Sequence, residues 1–137
     1  MGFVNSLHSL SDIGLVVLRF VLAAIFWVHG RQKSAMWHMQ PSDKMPKGML
    51  GILRFLSVAE PLGAVALVVG FATPLAALCY SVIMVGAIKM KVMRWKIPFM
   101  AQNATGWEFD LLILAAMIAL IFVGAGAYSV DHLVLGF

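Results

Sequence analysis

Residues 55–70 read FLSVAEPLGAVALVVG, an apolar run of helix length with Glu60 and Pro61 at its middle. A carboxylate at the centre of such a run is costly to bury alone, so it needs a partner or a task. Pro61 adds a second cost, because it has no N–H to donate to the carbonyl of Ser57 one turn earlier. The composition around this stretch sets the class of the protein. Of 137 residues, 62% are hydrophobic and only 12% are charged, with a mean hydropathy of +0.95. A water-soluble domain of this size needs far more charge to cover its surface. The chain therefore reads as an integral membrane protein, and its length allows one domain over residues 1–137.

Four apolar segments are expected as helices, at about residues 12–30, 50–70, 74–89 and 107–124. Each can cross roughly 30 Å of hydrocarbon, the third only just. The runs lack the period-two alternation of barrel strands, so helices must satisfy the backbone within lipid. The expected fold is all-α, a four-transmembrane-helix antiparallel bundle. Phe71-Ala72-Thr73 between the second and third segments forces a tight hairpin, with Thr73 as the expected N-cap and Pro74 at the first helical position. Thr105 and Glu108, three residues apart, predict a capping box at the start of the fourth helix.

Charge gives the orientation. The two longer loops and their flanks carry Arg31, Lys33, Lys44, Lys47 and Arg54, then Lys89, Lys91, Arg94 and Lys96; the opposite face carries no Lys or Arg. This asymmetry places the basic loops in the cytoplasm of a prokaryotic inner or plasma membrane, with both termini facing away. It also explains the net charge of +4 without a nucleic-acid partner. The N-terminal residues show no basic stretch and no small-residue cleavage site, so no cleaved signal peptide is expected. Cys79 stands alone, which excludes an intrachain disulfide and a dithiol centre.

Helical rise locates the buried charges. Arg19 lies eleven residues from Gly30, roughly 16 Å deep, and Glu60 lies ten residues from Leu50, roughly 15 Å deep. At matching depth on consecutive helices, the two are expected to pair. Arg19 shares its stripe with Ala23, Phe26 and Gly30, and Glu60 shares its stripe with Gly63 and Ala64, so small residues let the backbones approach. Such a pair is either a static clasp that fixes register or the centre of a ligand or proton-handling site. Nearer the basic face, His29, Arg31 and Lys33 end the first helix while Glu108 and Asp110 begin the fourth. Glu108 has a bland role as a first-turn carboxylate on the helix dipole, and His29 has one as an interfacial side chain. The functional alternative makes Glu60, Arg19 and His29 the reactive groups, with Lys33 and Glu108 lining a ligand-binding mouth. A histidine beside carboxylates suits the proton exchange that accompanies quinone reduction.

Metal chemistry is not expected. His8 and His132 belong to the opposite membrane face from His29 and His38, which argues against bis-histidine haem. Met36-Trp37-His38-Met39, with Met45 and Met49, offers soft ligands suited to Cu(I), but such residues at an interface more often pack and anchor. Trp27, Trp37, Trp95 and Trp107 fall near the basic boundary as an aromatic belt.

Several motifs together resemble one family. Leu18-Arg19-Phe20 followed by His29-Gly30-Arg31-Gln32-Lys33 is similar to the opening of the DoxX family. Glu60-Pro61-Leu62-Gly63-Ala64 and then Gly70-Phe71-Ala72-Thr73-Pro74 resemble its central hairpin. Gly106-Trp107-Glu108-Phe109-Asp110 and the later Gly124-Ala125-Gly126-Ala127-Tyr128-Ser129-Val130-Asp131 resemble its C-terminal signature. The resemblance implies a four-helix membrane protein linked to redox chemistry. Relatives include the small membrane subunit of a thiosulfate:quinone oxidoreductase and parts of assemblies with superoxide dismutase and a sulfurtransferase. The implied function is a membrane subunit of a quinone-linked oxidoreductase system. It would bind a quinone or similar apolar molecule in the bundle, hold no covalent cofactor, and contact the lipid bilayer and other membrane or redox subunits. The alternative is a non-catalytic accessory subunit of a larger complex. A small carrier fits less well, since one small bundle leaves little room for alternating access.

Overall fold

A computed structural model describes residues 10–43, 45–102 and 104–136. Each long apolar run is helical: α1 is Ser11–Lys33, α2 is Lys47–Val69, α3 is Thr73–Lys89 and α4 is Trp107–Val123. A short α5, Val130–Leu135, follows the glycine break. A 3-10 turn, Ser34–His38, prolongs α1, and a π-helical turn, Met90–Arg94, prolongs α3. Among the described residues there is no strand, only an isolated bridge between Ser42 and Met45. The segments Ser11–His38, Lys47–Val69 and Thr73–Arg94 are long and apolar enough to cross a membrane. The chain is an all-helical integral membrane protein.

The core is drawn from all four long helices. Phe26, Leu67, Tyr80, Met117 and Leu120 are buried there, and the rings of Phe26 and Tyr80 stack with centroids 3.7 Å apart. Valine, leucine and phenylalanine side chains cover the outside, as a lipid-facing surface requires. Since lipid tails are as apolar as leucine, close packing rather than water exclusion must hold these helices together. Two glycines permit it. A Cβ on Gly30 of α1 would overlap the Pro61 ring of α2 and crowd Glu60, and one on Gly63 would overlap the Tyr80 phenol.

Three features differ from the sequence expectations. First, α1 does not stop at Gly30 but runs to Lys33, since Gly30 serves the helix crossing rather than a C-cap. Second, Thr73 is the first residue of α3 and not its cap; Ala72 takes the N-cap position in a left-handed conformation (φ 48°), and the helix is capped from elsewhere in the chain. Gly70 closes α2 in the left-handed region at φ 66°, the geometry glycine supplies at least strain. Third, the capping box is not formed. Gly106 is the N-cap of α4 with no side-chain cap, so Glu108 falls at the second helical position, one short of the spacing the box needs.

Candidate functional site

Two polar clusters occupy opposite ends of the bundle. At the basic-loop end, the extension of α1 past Gly30 decides the geometry. Gly30 abuts Glu60 and Pro61, so Lys33, one turn further along α1, reaches over α2. Its Nζ donates to Glu60 Oε1 at 2.7 Å and to Oε2 at 2.6 Å. Glu60 is 1% exposed, whereas the Lys33 side chain is 24% exposed and opens towards the loops. The Tyr80 hydroxyl donates to the backbone carbonyl of Glu60 and so ties α3 to the same point. A second pair lies nearby. Lys91 Nζ sits 2.6 Å from Asp110 Oδ2, in charge contact rather than hydrogen-bond alignment, and donates to the Gly106 carbonyl at 3.2 Å. His29, half-buried on α1, meets Phe109 edge-on at 6.3 Å and lies one turn before Lys33 on the same helix.

The other cluster surrounds Arg19, which is 1% exposed. Its Nη2 donates to the Tyr128 carbonyl at 2.6 Å, and its guanidinium lies against Gly70, where any side chain would collide with it. Asp131 is the missing cap of α3: its carboxylate accepts from Ala72 N at 2.6 Å and Thr73 N at 2.8 Å. The Asp131 N–H in turn donates to the Gly70 carbonyl at 2.8 Å. Asp12 accepts from Ala127 N at 2.9 Å. Arg19 and Asp131 thus fasten the C-terminal segment across the α2–α3 turn.

This arrangement overturns the expected Arg19–Glu60 pair. The depth count took Gly30 as the membrane boundary, whereas Gly30 lies level with Glu60 itself. Arg19 is eleven residues away along α1, roughly 16 Å at helical rise. Glu60 and Lys33 are brought together, and His29 lies beside them. Glu108 keeps apart: its carboxylate folds back beside Gly106, with Oε2 buried and without a hydrogen-bond partner among the described residues. The methionine-rich run at residues 36–39 is an anchored loop. Trp37 Nε1 donates to Ser57 Oγ at 2.9 Å, and Arg54 donates to the carbonyls of Met36 at 3.0 Å and Met39 at 2.8 Å.

The chain matches the DoxX family over residues 14–95, more than half its length. It belongs to the DoxX family. The matched region of this DoxX protein includes Arg19, His29, Lys33, Glu60 and Lys91, whereas Asp110 and Asp131 lie beyond it. Among curated proteins, it is 31% identical over 127 residues to the Bacillus subtilis (strain 168) protein described as "Putative oxidoreductase CatD". That match covers 90% of this chain and 88% of the relative. No solved structure gives a significant match.

Sequence reasoning missed Lys91 and Asp131 as members of these clusters, and it grouped Asp110 with His29 and Lys33 without giving it a role. Asp110 carried a readable signal, since it shares one helical face with Ile113, Met117 and Leu120, all buried. Lys91 passed as one more loop cation, and its reach depends on the π turn, which has no pattern in the sequence. Asp131 acts on a helix 58 residues earlier, a distance no local motif spans.

Proposed function

We propose that this DoxX protein is the membrane subunit of a quinone-linked oxidoreductase system, with Glu60, Lys33 and His29 forming its proton-handling site. The observation that carries the reading is the Glu60–Lys33 pair: a fully buried carboxylate clasped by a partly exposed ammonium, with a histidine alongside. A buried carboxylate of this kind marks proton and ligand pathways in membrane proteins. Together these groups give protons a path from the basic loops to the core. The relative's description, "Putative oxidoreductase CatD", supports a redox role.

A groove of about 580 Å³ between α2 and α3 supplies an approach from lipid. It is lined by apolar residues including Leu62, Ala66, Leu75 and Ile83, with Gly63 and Tyr80 among them. Tyr80 links the groove to Glu60 through the backbone carbonyl. A quinone ring fits the volume and apolarity of this groove. Its reduction to a quinol takes up two electrons and two protons; a partner protein would deliver the electrons, and the Glu60 site the protons. Arg19 and Glu108 stand outside this role. Arg19 holds the C-terminal segment, and Glu108 favours the α4 dipole.

In this reading α4 also crosses the membrane, giving four spans, because its 17 residues extend about 25 Å and pack into the shared core. The basic loops face the cytoplasm of a prokaryotic cell membrane and both termini face out, which reporter fusions to each terminus would check. The direct test is purification in mild detergent followed by extraction and chromatography of bound quinones. Wild-type protein should retain quinone, and Ala66→Phe or Ala76→Phe, which fill the groove, should lower retention at least several-fold. Absence of quinone from wild-type protein that stays associated with larger partners would overturn the reading. It would favour a second one, an accessory subunit in which Lys33 occupies both Glu60 oxygens simply to lock α1 onto α2.

A further inference from the structure

The Lys91–Asp110 pair has no part in the function just proposed, yet its placement mirrors that of Lys33–Glu60. Each pair joins two consecutive helices, α1 to α2 in one case and the end of α3 to α4 in the other. Each sets a partly exposed lysine on a nearly buried carboxylate, at side-chain exposures of 24% over 1% and 15% over 8%. Lys91 belongs to the π-helical turn that closes α3, where Trp95 N donates to the Met90 carbonyl at 3.0 Å. Widened turns of this kind are rare and recur at functional sites, because they re-aim one side chain out of the helical register.

His29 stands between the pairs. It is one turn from Lys33 on α1, and its ring meets Phe109, the residue before Asp110 on α4. The charged groups gathered around it are Lys33 on α1 with its partner Glu60 on α2, and Asp110, next to Phe109 on α4, with its partner Lys91 from the π turn. Two cations and two anions leave its surroundings with no net formal charge. Neutralising one of the four leaves a whole unit of charge in a medium that screens weakly. We propose that His29 joins the two lysine–carboxylate pairs into one proton-handling site, with Lys91 and Asp110 as positioning residues that set the charge state of His29. The inference rests on the preceding function only for what the protons serve.

The test uses the full chain, labelled with ¹⁵N-histidine, in lipid nanodiscs, with the His29 signal assigned by comparison with His29→Gln. Its titration midpoint is followed by NMR alongside quinone content. Asp110→Asn and Lys91→Gln should move the midpoint in opposite senses, each by about half a pH unit or more. The double variant restores neutrality and should return it close to wild type, and Lys91→Arg should leave it in place. If Asp110→Asn does not fold, Lys91→Gln and Lys91→Arg carry the test, because Lys91 is the more exposed partner. A midpoint that ignores Lys91→Gln but follows Lys33→Gln and Glu60→Gln would overturn the inference and leave the quinone reading standing. The expected shifts in a protein that retains no quinone would sustain the inference and remove the quinone reading.

Discussion

Removing Lys33 should damage the protein more than removing Glu60. In Lys33→Met, the buried Glu60 carboxylate loses the ammonium that donates to both of its oxygens. Stranding one member of a buried pair typically costs about 3–5 kcal/mol. Glu60→Gln instead leaves an ammonium on a side chain that is already 24% exposed and can turn towards the loops. The loss is then that of two charge-assisted hydrogen bonds, partly replaced by one to the amide, or about 1–2 kcal/mol. Since Lys33→Met/Glu60→Gln buries no lone charge, the double variant should be less destabilised than Lys33→Met, with a coupling of about 2–3 kcal/mol. Arg19→Met and Glu60→Gln should combine additively within about 0.5 kcal/mol, because the two residues share no partner. Unfolding in mixed detergent micelles, followed by the fluorescence of the four tryptophans, measures all of these values. The reasoning is refuted if Glu60→Gln costs as much as Lys33→Met, or if Arg19 and Glu60 couple by more than about 1 kcal/mol.

The other end of the bundle gives its own expectations. Asp131→Ala leaves the N–H groups of Ala72 and Thr73 without their cap and should cost about 2 kcal/mol in the same unfolding assay. Gly70→Ala places a Cβ in the left-handed region, worth about 1–2 kcal/mol, and also into the Arg19 guanidinium; it should therefore cost more than the backbone term alone. Gly30→Leu forces α1 off Pro61 and should cost about 1–3 kcal/mol or more, with weakened Lys33–Glu60 coupling in a repeat of the double-variant cycle. A Gly30→Leu protein as stable as wild type would show that the close crossing is not needed.

The helices were legible because lipid leaves the sequence few choices: long apolar runs must be helical, and Thr73-Pro74 marks a helix start wherever it occurs. The demand that Glu60 have a partner was equally legible. Its identity was not, because that turned on whether Gly30 ended a helix or let two helices touch. Glycine serves both purposes, and one sequence does not separate them. Had α1 been carried to Lys33, the i, i+3 relation of Gly30 and Lys33 would have put the lysine over the contact that Gly30 makes with Glu60. The spacing of Thr105 and Glu108 suggested a capping box, but the start of α4 at Trp107 cancels it by one residue. A boundary of one residue lies below the resolution of pattern reading. Links such as Asp131 to Thr73 or Lys91 to Asp110 depend on tertiary placement and leave no local trace.

The Lys33–Glu60 bond also bears on how the chain enters the bilayer. Its two ends lie on consecutive helices, so the carboxylate of α2 has a counter-ion waiting on the helix made just before it. A lone acidic residue at the centre of an inserting helix costs about 2.5–3.5 kcal/mol. If α1 and α2 enter as a hairpin, that charge crosses the interface already neutralised, whereas Arg19 on the same pair of helices gains its partner only when the C-terminal segment arrives.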